Sequence, residues 1–210
     1  QGIPQTGTPV FTAGDPAVPI DLDSPMTFED GSSTKSVPGV GEYSINPDGS
    51  ITFTPDKQYV GTPAPVTVKR VDKNGTPVTA NYTPTVTRVT PTSQDAASTG
   101  AQGLPQSGTP SFTPGDPAVP IDMDSPMTFD DGQTTKSVPG VGEYSINPDG
   151  SITFTPEKQY FGTPAAVVVK RVDKNGTPVT AQYTPTVTPV TPTSEDVSST
   201  GLQGQKQTGT

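Results

Sequence analysis

Apolar and polar residues alternate along the chain in short stretches. Tyr43 and Ile45, then Ile51 and Phe53, take every second position on either side of Asn46-Pro47-Asp48-Gly49. A period of two marks strands with one buried face. The interruption suits a type I turn closed by a left-handed Gly49 in a bulge. That register sets Ile45 opposite Ile51 and Tyr43 opposite Phe53. A second hairpin follows, in which Val66 and Val68 lead into Asp72-Lys73-Asn74-Gly75 and Val78, Ala80, Tyr82 and Val86 share one phase on the return. Asn-Gly is a strong hairpin signal. The incoming strand changes phase between Val68 and Val71, which predicts a β-bulge near Lys69-Arg70. Pro77 and Pro84 lack an N–H, so parts of the return strand belong at a sheet edge. Upstream, Phe11, Val18, Ile20, Phe28 and Val37 mark shorter strands cut by prolines, and no window carries a helical period.

The whole pattern then recurs. Gln5-Thr6-Gly7-Thr8-Pro9 returns as Gln106-Ser107-Gly108-Thr109-Pro110, and the offset of 101 residues holds without a gap, with 17 differences between 1–100 and 102–201. A period of that length is the size of an autonomous domain, too long for a solenoid repeat. Gln207-Thr208-Gly209-Thr210 opens a third copy. Short strands with turns every 8–12 residues in a unit of about 100 residues indicate an immunoglobulin-like sandwich. The expected architecture is therefore all-β, with two tandem antiparallel β-sandwich domains in an elongated arrangement. Residues 1–91 form the first repeat, 92–105 a Ser/Thr/Gly-rich linker, 106–192 the second repeat, and 193–210 a linker and the start of a third.

Composition narrows the chemistry. Among 210 residues there is no cysteine, histidine or tryptophan. Disulfide scaffolds, Cys/His zinc sites and imidazole-dependent triads are excluded. Leu, Ile, Val and Phe together supply only 39 residues, so each core is thin, and contact with a neighbouring copy is expected to add stability. The longest apolar run, Ala165 to Val169, cannot cross a bilayer. A net charge of -9 disfavours nucleic acid and anionic membrane as partners.

Few residues invite a chemical reading. Asp21, Asp23, Glu29 and Asp30, matched by Asp122, Asp124, Asp130 and Asp131, are candidate calcium ligands near a domain junction. The favoured reading is solvated loop carboxylates with no metal, since no Asp-x-Asp-x-Asp-Gly loop with a closing Glu is present. Lys35, Lys57 or Lys69 with Asn74 or Asn81 supply the residue types of a Lys–Asn isopeptide bond, with nothing to select one pair. No aromatic-lined cleft is available for glycoside hydrolysis. The expectation is a non-enzymatic chain with no cofactor and no catalytic residue.

Three runs carry a resemblance. Gly7-Thr8-Pro9-Val10-Phe11-Thr12-Ala13-Gly14-Asp15, Pro38 through Pro55 and Val71-Asp72-Lys73-Asn74-Gly75-Thr76-Pro77 resemble the repeats of CshA-type fibrillar adhesins of streptococci and related Gram-positive bacteria. The likeness covers both copies. It implies an extracellular, cell-wall-anchored fibril whose repeats form a stalk, with anchor and export signal outside this sequence. In that family, binding to host fibronectin is attributed to the tip region, so the resemblance gives these repeats no such partner. Neighbouring repeats of the same chain are their expected partners, in a monomer. A stalk that bears tension is expected to hold its first and last strands side by side and parallel, with Phe11 and Val86 flanking the pair. The competing reading is an adhesion module that itself binds host glycoprotein weakly through many copies.

Overall fold

The structure, a computed structural model, describes residues 1–209, and it contains only strands, turns and loops. In the first repeat the strands are β1 (Gln5–Gly7), β2 (Thr27–Phe28), β3 (Thr34–Val37), β4 (Gly41–Ile45), β5 (Ile51–Pro55), β6 (Val66–Val71) and β7 (Pro77–Tyr82). The second carries β8 (Thr92–Gln94), β9 (Ala96–Ala101), β10 (Gln106–Gly108), β11 (Ser111–Thr113), β12 (Thr128–Phe129), β13 (Thr135–Val138), β14 (Gly142–Ile146), β15 (Ile152–Pro156), β16 (Val167–Val172) and β17 (Pro178–Thr188).

Each repeat is two sheets facing one core. One sheet has the order β1-β5-β4-β3, repeated as β10-β15-β14-β13. The other is β2-β6-β7 in the first repeat and β12-β16-β17-β9 in the second. The central hairpin has the expected register, Tyr43 opposite Phe53 and Ile45 opposite Ile51. Gly49, at φ +83°, donates its N–H to Asn46 O at 2.9 Å, and Asn46 N–H reaches Ser50 O at 2.8 Å. Any side chain at Gly49 would be strained by that backbone. The inward phase then builds the core. Phe28, Tyr43, Ile51, Phe53, Val66, Val68 and Val86 are buried in the first repeat, as are Phe129, Tyr144, Ile152, Phe154, Val167, Val169 and Val187 in the second. Tyr43 and Phe53 stack at 4.5 Å between ring centroids, and Tyr82 meets Tyr43 edge-on at 6.3 Å.

The predicted bulge at Lys69-Arg70 is absent, since β6 and β7 pair without interruption from Val66–Tyr82 to Val71–Pro77. Arg70 itself takes the inward phase at the end of the sandwich, where its guanidinium donates to Ser24 O at 3.3 Å. A long side chain with a polar head can occupy the last inward position and still reach a carbonyl, so the ladder needs no extra residue. The proline expectation is met in the first repeat, where β7 is the edge strand, but not in the second, where β17 lies between β16 and β9 and tolerates Pro185 for a local reason. The β16–β17 ladder ends at Val167–Tyr183, and the next contact on that side is the bridge between Gly162 and Val187. Pro185 lies in the gap, where a missing N–H leaves no acceptor orphaned.

The stretch expected to be a linker is strand. Residues 92–101 form β8 and β9, antiparallel to β11 and parallel to β17 respectively. Its small residues alternate in exposure, with Ala96, Ser98 and Gly100 half-buried and Ala97 and Thr99 exposed. A strand lying over the Tyr183 ring has room only for small inward side chains, so it lacks the large apolar residues that usually advertise a strand.

Candidate functional site: terminal strands and repeat junction

β9, which follows the short β8, and the last strand of the second repeat lie side by side. β9 and the C-terminal half of β17 run parallel over six residue pairs, from Ala96–Tyr183 to Ala101–Thr188. Side chains tie β17 to β9 and to the neighbouring β10. The Ser98 and Tyr183 hydroxyls lie 2.6 Å apart, Gln106 Nε2 donates to Thr186 O at 3.1 Å, and Thr188 Oγ1 donates to Gly100 O at 3.1 Å. At the two ends, Gln182 N–H donates to Asp95 Oδ1 at 2.7 Å and Val190 N–H to Gln102 Oε1 at 3.2 Å. Sequence reading had placed this pairing beside Phe11. The counterpart of Phe11, Phe112, instead sits in β11 opposite Ser93 of β8, whereas Val187, the counterpart of Val86, does lie in the last strand opposite Gly100.

Among the described residues, β7 of the first repeat is the edge of a three-stranded sheet. The consequence shows in burial, since Ala80 and Tyr82 are half-exposed while Ala181 and Tyr183 are buried.

Between the repeats the chain passes through five residues, Thr87 to Pro91, with Val89 and Pro91 buried. Gln1 seals one side. Its ammonium donates to Thr87 O at 2.8 Å, its side-chain Oε1 accepts from Val89 N–H at 3.2 Å, and its carbonyl accepts from Asn175 Nδ2 at 3.1 Å. Gln58 Nε2 donates to Asn175 O. Asn175 belongs to the β16–β17 turn of the second repeat, and this contact buries it to 7% exposure while its counterpart Asn74 stays exposed. Gly2, at φ +68°, lets the chain pass so close that a Cβ there would fall 2.1 Å from Asn175 Oδ1. Val119 is buried in the second repeat, whereas Val18 is half-exposed in the first.

The acidic candidates divide into pairs and turns. Asp21 and Asp23 converge on the Lys73 ammonium at 2.5 and 2.6 Å, and Asp122 and Asp124 converge on Lys174 at the same distances. The hydrogen bond from Lys73 holds the Asp21 carboxyl down at about 2, and Lys73 is in turn raised. Each lysine supplies the positive charge that a cation would bring. Asp30 accepts from Ser32 within its own turn, and Asp131 accepts from Gln133 N–H. Asp130 pairs with Lys136 at 2.5 Å, while Glu29 is exposed. Among the described residues, no group of three or more acidic residues is gathered as metal ligands would be. Of the isopeptide candidates, Asn81 accepts a hydrogen bond from Thr67 Oγ1 at 2.9 Å. No helix of the described residues is long and apolar enough to cross a membrane.

No curated protein matches the chain. Among solved structures, repeat domain 13 of the fibrillar adhesin CshA from Streptococcus gordonii is 70% identical over 34% of this chain and 91% of its own, with a TM-score of 0.20. Mouse cadherin-23 EC22-24 is 17% identical over 75% of this chain and 53% of its own, with a TM-score of 0.33. The N-terminal four Ig domains of Dscam1 isoform 4.44 are 14% identical over 92% and 49%, with a TM-score of 0.34. At those TM-scores the fold rests on the strand pairing described above, not on these likenesses. The model of the surface adhesin CshA repetitive domain matches residues 1–86 and again 88–187. With both copies matched, nearly end to end, the chain belongs to the CshA repetitive-domain family of surface adhesins.

Proposed function

We propose that the two repeats are stalk modules of a cell-wall-anchored fibrillar adhesin, holding an adhesive tip away from the bacterial surface. One observation carries this reading, the parallel pairing of β9 with β17. Tension reaches β9 from its N-terminal side, past the short β8, and leaves through the C-terminal end of β17. In a parallel pair those two pulls act in opposite directions along the strand axes. All six residue pairs are then loaded in shear together, whereas an antiparallel hairpin pulled at its open end breaks one bond at a time. Gln106 and the Ser98–Tyr183 contact add side-chain resistance along the same line.

The mechanical unit we propose runs from Thr92 to about Val190, with the Thr87–Pro91 crossing as the connector. A connector with Val89 and Pro91 buried, sealed by Gln1 against Asn175, restricts bending between repeats. Small-angle scattering on chains of two, three and four repeats tests the stalk. The maximum dimension should rise almost linearly with repeat number, and a compact profile that stops growing would overturn the reading.

A second reading, weak multivalent binding of host glycoprotein, has one feature in its favour. A shallow groove of about 340 Å³ bounded by Leu22, Met26, Ile45 and Arg70 recurs as one of about 370 Å³ bounded by Met123, Met127, Ile146 and Arg171. Leu22 and Met123 are largely exposed there. Immobilised host matrix proteins and glycan arrays separate the two readings, because a stalk gives no saturable signal.

A further inference from the structure

We infer that a trough at one end of each sandwich binds an extended peptide that presents a carboxylate beside aliphatic side chains, with Arg70 in the first repeat and Arg171 in the second as the carboxylate's partner. This rests on the second reading above and names the ligand class that the groove takes.

The trough is two hollows that share a wall. The groove of about 340 Å³ continues past Leu22 and Arg70 into a hollow of about 260 Å³ bounded by Pro9, Val10, Phe11 and Ile20. In the second repeat the groove of about 370 Å³ continues past Met123 and Arg171 into a hollow of about 170 Å³ bounded by Pro110, Phe112 and Ile121. Together the two hollows of either repeat reach the size of a small-ligand site.

At the shared wall a guanidinium meets no acid. Arg70 is half-buried, and its Nη1 donates to Ser24 O at 3.3 Å while Nη2 lies over Gly49, 3.2 Å from where a Cβ there would stand. Arg171 donates to Ser125 O at 3.5 Å, with Nη2 over Gly150. Both bonds are long for a charged donor, and a guanidinium carries five N–H groups in a planar fork that matches a carboxylate. Among the described residues neither arginine pairs with a carboxylate, although the chain has 21 acidic residues against 12 basic ones. The acids that line the trough are engaged elsewhere. Asp23 and Asp124 hold Lys73 and Lys174, and Asp48 and Asp149 accept from Ser50 and Ser151 within their own turns. An incoming carboxylate supplies the bidentate partner that the chain itself does not.

The walls set the chemistry of the rest of the ligand. Leu22 is 75% exposed and its counterpart Met123 is 70% exposed, so the exchange between repeats keeps an apolar side chain standing at the same point. Met26, Ile45 and Pro47 complete that wall. Aliphatic and thioether side chains adapt to the side chains of a peptide. The larger hollow has no aromatic ring on its walls to stack on the face of a sugar. Both repeats carry the trough, so weak single contacts add along a chain.

NMR on the full chain tests this, with acetyl-alanyl-leucine bearing a free C-terminal carboxylate as the probe. Titration to about 10 mM should move the Arg70 and Arg171 Nε–H and the Met26 and Met127 methyl resonances saturably, with a Kd near 1 mM as suits a shallow site. The same peptide capped as its C-terminal amide should bind at least about tenfold more weakly, having lost a charge-assisted pair. Arg70→Gln should abolish the response at Met26 and leave that at Met127, so the second repeat serves as the control within one molecule. Absence of a saturable shift, an equal response to the capped peptide, or a Met26 response that survives Arg70→Gln would each overturn the inference. Tighter binding of N-acetylneuraminic acid than of the peptide would do the same, in favour of an acidic sugar. Binding of host matrix proteins that survives the Arg70→Gln, Arg171→Gln double variant would leave the second reading standing and overturn this one. Peptide binding at the arginines without any matrix signal would support the site and remove host glycoprotein as its source.

Discussion

The Tyr183 hydroxyl lies 2.6 Å from the Ser98 hydroxyl, a bond between β17 and β9 of the second repeat. In the first repeat Tyr82 occupies the same place without that strand. Tyr183→Phe keeps the ring and removes the bond, so the second repeat should lose about 1 kcal/mol. For a domain of this size that is a fall in melting temperature of about 4–8 °C. Tyr82→Phe should change stability by less than about 0.5 kcal/mol. Calorimetry on the two variants checks the difference, and equal shifts would show that the strand-to-strand bond contributes nothing.

Mechanical resistance should differ between repeats that are nearly identical in sequence. Pulled by its ends, the second repeat loads the β9–β17 ladder in shear. Among the described residues, β7 of the first repeat pairs with β6 alone. Single-molecule force spectroscopy at low concentration should therefore give two unfolding populations, the weaker one from the first repeat. Thr99→Pro should lower the stronger population toward the weaker. A single population would show that resistance lies in the antiparallel sheets common to both.

Asn175 couples the repeats through Gln1 and Gln58. Asn175→Ala removes the amide that meets the Gln1 carbonyl and should cost about 1 kcal/mol at the junction. Nitrogen-15 relaxation should then show the two repeats tumbling with shorter, more independent correlation times. Asn74→Ala is the control, since Asn74 is exposed. Identical relaxation in the two variants would mean that the buried Val89–Pro91 crossing alone sets the joint.

These three expectations turn on features with unequal visibility in the sequence. The Tyr43–Phe53 hairpin was legible because two apolar pairs flank a turn whose glycine has no alternative role. β9 was not legible. Hydrophobicity identifies strands that face a core with large side chains, whereas β9 turns small residues inward, with Ser98 against Tyr183 and Gly100 against Gln106. The signal that could have found it is the run from Tyr183 to Val187, a C-terminal strand extending past the end of its β16 ladder and needing a second neighbour. The junction was hidden for another reason. Gln1, Gln58 and Asn175 are ordinary polar residues of turns, and their roles arise only when the turn of one repeat meets the start of another. The acidic clusters were visible, but Lys73 and Lys174, about 50 residues away in sequence, decide their state.

That state gives the acid dependence a direction. Hydrogen bonding from Lys73 lowers Asp21 to about 2 in the folded chain, below the ordinary carboxylate value of about 3.9. The contribution is complete above about pH 4 and is lost as pH falls toward 2. Denaturant unfolding at pH 7 and pH 3 should show Lys73→Met losing part of the acid dependence, with carbon-13 titration placing the Asp21 carboxyl nearer its ordinary value. Because the ammonium already sits between the two carboxylates and offsets one of their two charges, calcium or EDTA should move the melting temperature of the unsubstituted chain by less than about 1 °C. A rise of several degrees with calcium would show that a cation displaces the lysine.

The alkaline side rests on two phenols inside the cores. Tyr43 and Tyr144 are buried, and among the described residues their hydroxyls have no hydrogen-bond partner. Burial pushes both up to about 12, above the ordinary tyrosine value of about 10. The neutral phenol is thus favoured by folding. Its contribution is complete below about pH 10 and is lost as pH rises toward 12, where the unfolded chain gains by ionising. The Tyr43→Phe, Tyr144→Phe double variant keeps the rings stacked on Phe53 and Phe154 at 4.5 Å. It also removes two polar atoms that lost their water without gaining a partner. Its stability at pH 7 should equal or exceed that of the parent, and its decline between pH 10 and 12 should be shallower. A loss of more than about 1 kcal/mol at pH 7 would mean that those hydroxyls do hold partners in solution.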